Sequence, residues 1–303
     1  MNKTIKITLR AKNLTVLILC LAFLCCTCAC AAQKPAATQG AATATSAAAT
    51  LAATTAAAKT GGAFRVGLEC DYAPFNWTQP DSSNGAAPIE GGNYAGGYDV
   101  EIAKIVAAGL NKELVIVKTA WDGLLPGITS GKIDAIIAGM SPTAERKESI
   151  DFSSNYYISD LVLVIHKNGK FANAKGLADF AGAKITGQLN TFHYTVIDQI
   201  PGVSKETALE DFSSMIVALS SGKIDGYVSE RPGAISAAAS NSNLTYIVPE
   251  PGFKYEPDDA AIAIGLRKGN PLLADINKII DGISKADRER MMEEAIKNQP
   301  SGE

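Results

Sequence analysis

The chain contains one short phrase twice, Ser130-Gly131-Lys132-Ile133-Asp134 and Ser221-Gly222-Lys223-Ile224-Asp225, and each copy follows the same apolar stripe. Trp121, Leu124, Leu125 and Ile128 stand at i, i+3, i+4 and i+7 ahead of the first copy; Phe212, Met215, Ile216 and Leu219 stand so ahead of the second. That period is the buried face of an amphipathic helix, and the glycine after each stripe is a stop, because it accepts the left-handed conformation that side chains resist. Short apolar runs follow, Ala135-Ile136-Ile137-Ala138 in one copy and Gly226-Tyr227-Val228 in the other. A helix–turn–strand unit used twice predicts two similar α/β lobes with a cleft between them, where small ligands sit.

The chain's 303 residues and 47% apolar content suffice for one large or two modest domains with ordinary cores. A net charge of −3 supplies no basic field of the kind nucleic-acid binding needs.

The first thirty residues have the layout of an export signal. Lys3, Lys6, Arg10 and Lys12 form a positive start, and Leu14 to Cys26 is an apolar run of thirteen residues. About twenty are needed to span a bilayer, so the run is short for an anchor. Five of the six cysteines, Cys20, Cys25, Cys26, Cys28 and Cys30, fall in this segment, and Cys70 is left alone in the body. Either the cluster is discarded with the signal, or one cysteine becomes the lipid-modified first residue of a lipoprotein. The second reading is preferred because residues 31–60, nearly all Ala and Thr, have the composition of a disordered tether. Cys30, preceded by small Ala29, is the expected lipidation site and Cys28 the alternative, although no Leu stands three residues before either of these two. A single body cysteine allows no intramolecular disulfide there, and Cys70 is expected to be buried.

In the body, Phe64 to Leu68 predicts a first strand that runs into Glu69-Cys70-Asp71-Tyr72 at the end where α/β sheets gather ligands. Residues 76–97, rich in Gly, Asn, Ser and Pro, predict a long surface loop. Asp81-Ser82-Ser83-Asn84-Gly85 lacks the downstream acid that a calcium loop needs. Asp99 is placed as an N-cap, and the βαβαβ run through residue 138 favours parallel strands. Ser141-Pro142 has the form of a helix start, a capping hydroxyl followed by proline. With Arg146 about a turn further on, it is either an anion site or an ordinary capped helix, and its place after a strand favours the first. Thr191, after Gly187-Gln188-Leu189-Asn190, is a second candidate anion-binding hydroxyl or a simple cap.

Together Tyr72-Ala73-Pro74-Phe75, Gly97 to Ala103, Trp121 to Pro126, Ser130 to Asp134 and the run from Gly139 through Arg146 to Ser153 resemble the bacterial extracellular solute-binding proteins of the polar amino acid type. The resemblance covers most of residues 64–296. It implies an α/β, periplasmic-binding-protein-like fold of type II: lobe 1 from residues 61–158 and 256–303, lobe 2 from 159–255, and a two-stranded hinge. It further implies a monomer outside the cytoplasm that closes on a free amino acid and hands it to the permease and ATPase of an ABC importer, with no cofactor. Ser141 and Arg146 would hold the ligand carboxylate, with Thr191 approaching from the second lobe. Tyr72 and Trp121 would sandwich the ligand side chain, Glu69 would meet its far end, and Gly139 would offer its carbonyl to the ammonium. Where many relatives have an Asp for the ammonium, this chain reads Ser229-Glu230-Arg231, and Glu230 is the nearest carboxylate.

Glu69 and the aromatic pair favour a cationic ligand such as Arg, Lys or His. Glutamine also fits, and Arg231 would favour an acidic ligand if it faced the cleft. Two other functions stay open. A sensor would bind an amino acid and signal through a partner. A dehydratase-like enzyme could use Glu69 and Glu230 as acid and base, since His166 and His193 are expected on surface or helix-face positions rather than as catalysts.

Overall fold

A computed structural model describes residues 61–300. The export signal, Cys30, Cys28 and the 31–60 tether lie outside them. Among the described residues no helix is long and apolar enough to cross a membrane.

The described chain opens with β1 (Ala63–Leu68), then β2 (Asp71–Tyr72), β3 (Asn76–Gln79), β4 (Ala87–Pro88) and β5 (Tyr94–Gly96). Next come α1 (Tyr98–Gly109), β6 (Glu113–Lys118), α2 (Trp121–Ser130), β7 (Ala135–Ile136), α3 (Ala144–Ser149) and β8 (Ile150–Ile158). A second series follows: β9 (Leu161–His166), β10 (Lys184–Thr186), α4 (Phe192–Thr195), β11 (Ser204–Lys205), α5 (Phe212–Ser220), β12 (Gly226–Glu230), α6 (Arg231–Ser240) and β13 (Leu244–Ile247). Then β14 (Ala261–Arg267), α7 (Leu273–Asp281) and α8 (Lys285–Asn298) complete it.

These strands make two five-stranded sheets, ordered β6-β1-β7-β14-β8 and β11-β10-β12-β9-β13. In each, four strands run one way and one runs against them: β1 pairs parallel with β6 and β7, as β10 does with β11 and β12, while β14 and β9 are the reversed strands. The chain crosses between the sheets twice, and the crossings lie side by side, with the Ser159 N–H donating to the Ala260 carbonyl at 3.0 Å.

The repeated phrase does the same work in both sheets. Gly131 ends α2 at φ +80°, and Gly222 turns the chain after α5 at φ +72°. Ile133 and Ile224 are buried in the cores, each worth about 2 kcal/mol. The aspartates staple the turn to the start of the neighbouring strand. The Asp134 carboxylate accepts the Arg65 N–H at 2.8 Å and its own N–H donates to the Arg65 carbonyl at 2.7 Å; Asp225 makes the same pair with Lys184 at 2.8 and 2.8 Å.

Three expectations change. Residues 76–97 are not a plain loop but build most of a small antiparallel sheet, β2-β3-β5-β4, whose alternation buries Trp77, Gln79 and Ala95. Gly97, at φ +123°, takes the N-cap position of α1, and Asp99 sits fully buried in the first turn. A helix, α6, starts at Arg231-Pro232, so the proline-led start occurs here, directly after Glu230.

Candidate functional site

The site is assembled where strands end. After β1, Cys70 takes a left-handed φ of +56° and its N–H donates to Asn76 Oδ1 at 2.7 Å, turning the chain so that Tyr72 enters the cleft. After β7 the chain reaches Gly139 at φ +63°, where a Cβ would stand 3.1 Å from Tyr72 Cε1; only glycine lets the two segments approach this closely.

Ser141 and Pro142 stay outside the helix that follows. Thr143 takes the cap instead, accepting the Arg146 N–H at 3.3 Å, and α3 begins at Ala144. The positive group at this place is therefore not a helix terminus capped by Ser141 but the buried side chain of Arg146. Arg146 is 9% exposed, and its guanidinium carbon lies 5.1 Å from the Trp121 ring centre. Nη1 donates to the Ser141 carbonyl at 3.0 Å and Nη2 to the Asn190 carbonyl, across the cleft, at 3.1 Å. Burial lowers its pKa to about 10, which leaves it a cation at neutral pH.

On the facing side, β10 leads into Gly187 and Gln188, and Thr191 precedes α4 without capping it; its hydroxyl donates to the Gln188 carbonyl at 2.7 Å. β12 ends on Glu230, 2% exposed. The Tyr72 hydroxyl donates to Glu230 Oε2, and His193 Nε2 lies 2.9 Å from Oε1. That is an ion-pair distance without hydrogen-bond alignment, and His193 Nδ1 has no hydrogen-bond partner among the described residues. Burial by itself would raise the Glu230 pKa, but His193 and the Tyr72 hydroxyl outweigh it and hold the carboxyl below its ordinary value.

Seven of the eight expected residues, Tyr72, Trp121, Gly139, Ser141, Arg146, Thr191 and Glu230, line one cavity. Glu69 does not: Gln188 Nε2 donates to its two carboxylate oxygens at 3.1 and 3.3 Å and stands at the cavity wall in its place. Burial drives the Glu69 carboxyl up to about 7, with the Gln188 bond opposing. The cavity holds about 10 Å³, the room of one water molecule, so an amino acid enters only when the two sides part. Roomier hollows exist, such as one of about 470 Å³ beside β8, but that one is an open surface depression away from the buried charges.

Tyr72 and Trp121 do not face each other as a pair. Tyr72 stacks on Phe212 with ring centres 4.0 Å apart and tilts against Phe75 at 4.9 Å, while Trp121 lies beneath Arg146. Sequence reasoning missed Gln188, Phe192 and His193 as lining residues. His193 in particular is buried against Glu230 rather than on a surface, because α4 turns it inward beneath Phe212. Arg231 points elsewhere, forming a two-pronged pair with Asp160, which removes the argument for an acidic ligand.

One cavity thus carries a buried guanidinium from one side and a buried carboxylate from the other, with Gly139, Ser141 and Thr191 also lining it. A probable histidine-binding protein of Campylobacter jejuni is 30% identical over 220 residues, 72% of this chain and 78% of that protein. The L-cystine-binding protein TcyJ of Escherichia coli is 29% identical over 226 residues, covering 74% of this chain and 78% of that one. Among solved structures, an amino acid ABC transporter substrate-binding protein of Streptococcus pneumoniae bound to L-arginine superposes with a TM-score of 0.69 at 29% identity, covering 79% of this chain and 95% of that one. The architecture is accordingly the two-lobed, type II periplasmic-binding fold. Residues 64–295 match the family description itself, and the chain belongs to the bacterial extracellular solute-binding proteins, family 3.

Proposed function

We propose that this protein is the extracytoplasmic receptor of an ABC importer that captures a free polar L-amino acid, cationic by preference, and delivers it to a membrane permease and its ATPase. In this reading it is a monomer, held to the outer face of the membrane by a lipid on Cys30 and the 31–60 tether. The lobes are residues 61–158 with 256–303, and 159–255. It carries out no chemistry on its cargo, so ligand recovered unaltered after long incubation is the expected result.

The observation that carries this reading is the buried pair of opposite charges, Arg146 and Glu230, on one cavity. Burying a zwitterion strips water from two charges, and each needs a fixed partner of opposite sign. Arg146 with the Ser141 and Thr191 hydroxyls would take the carboxylate; Glu230 and the Gly139 carbonyl would take the ammonium. A ligand touching both lobes stabilises the closed form and shifts the population toward it.

Glu69 supports a cationic side chain, provided the ligand displaces Gln188 to reach it. The placement of Gln188 at the wall favours a second reading, an amide side chain such as that of glutamine. Thermal unfolding of the full chain, freed of co-purified ligand, against the twenty amino acids distinguishes them. A ligand at a thousand times its dissociation constant adds about 4 kcal/mol to stability. A shift with Arg, Lys or His supports the first reading and a shift with Gln the second; no shift with any removes the amino acid assignment.

A further inference from the structure

Behind the cleft wall lies a buried acid that none of these roles uses. Asp99 is fully buried, and both of its oxygens receive neutral donors: Oδ2 the Asn76 amide at 2.8 Å, Oδ1 the Tyr156 hydroxyl at 2.7 Å. Each donor also grips a backbone N–H in the wall of the cleft. Asn76 Oδ1 accepts the N–H of Cys70 at 2.7 Å, and the Tyr156 hydroxyl oxygen accepts the N–H of Gly139 at 3.2 Å.

Cys70 and Gly139 are the left-handed residues that follow β1 and β7, two adjacent parallel strands. From the first turn hang Glu69 and Tyr72; from the second, the Gly139 carbonyl and Ser141. We infer that Asp99 is a positioning residue for ligand binding, which through Asn76 and Tyr156 sets both cleft turns of the first lobe from one point. The inference rests on the amino-acid-binding reading above.

The chemistry explains why an acid stands there. Burial pushes the Asp99 carboxyl up to about 7 against the hydrogen bonds from Tyr156 and Asn76, so the charge is costly where it sits. A carboxylate accepts on both oxygens, whereas an amide at this place presents an NH₂ to one of its two donors. Asn76 cannot turn over to relieve that conflict without releasing Cys70, and Tyr156, if it accepted the NH₂ instead, would lose the acceptor of its own hydroxyl proton beside Gly139. A left-handed Cys70, which costs energy for any residue with a side chain, needs that grip.

The test uses the full chain and three variants: Asp99→Asn, Tyr156→Phe, and the exchange Asn76→Asp with Asp99→Asn. The exchange restores every donor–acceptor match, since the amide at 99 donates to the acid at 76, which still accepts Cys70. Well below the unfolding midpoint, L-arginine affinity by calorimetry should fall about tenfold in each single variant and return to within about threefold in the exchange. Lower unfolding midpoints with unchanged affinities would assign Asp99 to stability alone and overturn the inference. If the wild type binds none of the twenty amino acids, the binding reading has failed, and positioning is read from amide exchange. Cys70 or Gly139, according to which neighbour the new NH₂ faces, should then lose protection in Asp99→Asn and regain it in the exchange, and Gly139 should lose it in Tyr156→Phe; unchanged protection overturns the inference. Should Asp99→Asn not fold, the exchange and Tyr156→Phe still decide.

Discussion

In the first lobe the strand after the repeated phrase ends at Ile136, three residues before a glycine turn at Gly139, and the chain goes seven residues beyond that turn before it reaches Arg146. In the second lobe the corresponding strand carries its charged group at its own last residue, Glu230, and turns at once into α6. Up to the end of each strand the units are nearly interchangeable: the same stripe, the same glycine, the same aspartate staple. Past it they diverge in length, backbone and sign of charge. The lesson is that scaffold and recognition occupy separate stretches of the unit, so two copies of one scaffold can offer opposite charges to the two ends of one zwitterion.

Removing each charge is the most direct way to break this comparison. On the proposed reading, Arg146→Ala leaves a ligand carboxylate buried without a partner, at a cost of about 3–5 kcal/mol, or a loss of affinity of about a hundredfold to several thousandfold. Calorimetry with whichever amino acid stabilises the wild type should show binding all but gone. Glu230→Gln is expected to cost less, about tenfold to a hundredfold, because in the proposed binding mode the Gly139 carbonyl shares the ammonium. Equal losses would mean that the two lobes contribute symmetrically after all.

The lobes also meet through Glu69, and its titration sharpens the contrast. In the folded chain burial holds Glu69 and Asp99 up at about 7, whereas both titrate near 4 when unfolded. A folded value raised above the unfolded one gives stability that is complete below the unfolded value and lost as pH climbs through the folded one. The unfolding midpoint should therefore fall between about pH 4 and about pH 7 and level off above that, and Glu69→Gln should remove roughly half of that fall, leaving the share of Asp99. Carboxyls held low, such as Asp151 beside the Gly269 N–H, titrate beneath this window. A midpoint that stays level over the range would show that neither acid is as costly as its burial implies.

What could be seen in the residues follows the same division. The stripe and glycine place α2 at Trp121–Ser130, because period and stop signal are local. The Ser141-Pro142 start fails because Thr143, two residues on, competes for the same cap and wins; two hydroxyls that close cannot be ranked without the tertiary fold. His193 lies on the helix expected after Thr191, but its burial is not legible locally because what covers it, Glu230 and Phe212, comes from other segments of the chain. Gln188 displaces Glu69 from the wall for the same reason: each is unexceptional alone, and only their approach across the cleft decides which one faces the cavity. The strand at Asn76–Gln79 carries no strong local signal among the glycines and asparagines around it; its pairing with β2 and β5 makes it one.

The smallest effect tests the sameness of the units rather than their difference. Asp134 and Asp225 each hold one backbone N–H of the neighbouring strand, at 2.8 Å in both lobes. Replacing either by Ala should cost about 1 kcal/mol, a drop of roughly 2–4 °C in the midpoint for a body of this size. Neither aspartate reaches the cavity, so affinity should hold in both variants, unlike in Arg146→Ala or Glu230→Gln. Equal drops with constant affinity are what a duplicated staple requires. If one variant lost much more than the other, or took binding with it, the two phrases would share a spelling without sharing a role, and the division between scaffold and recognition would have to be drawn elsewhere in the unit.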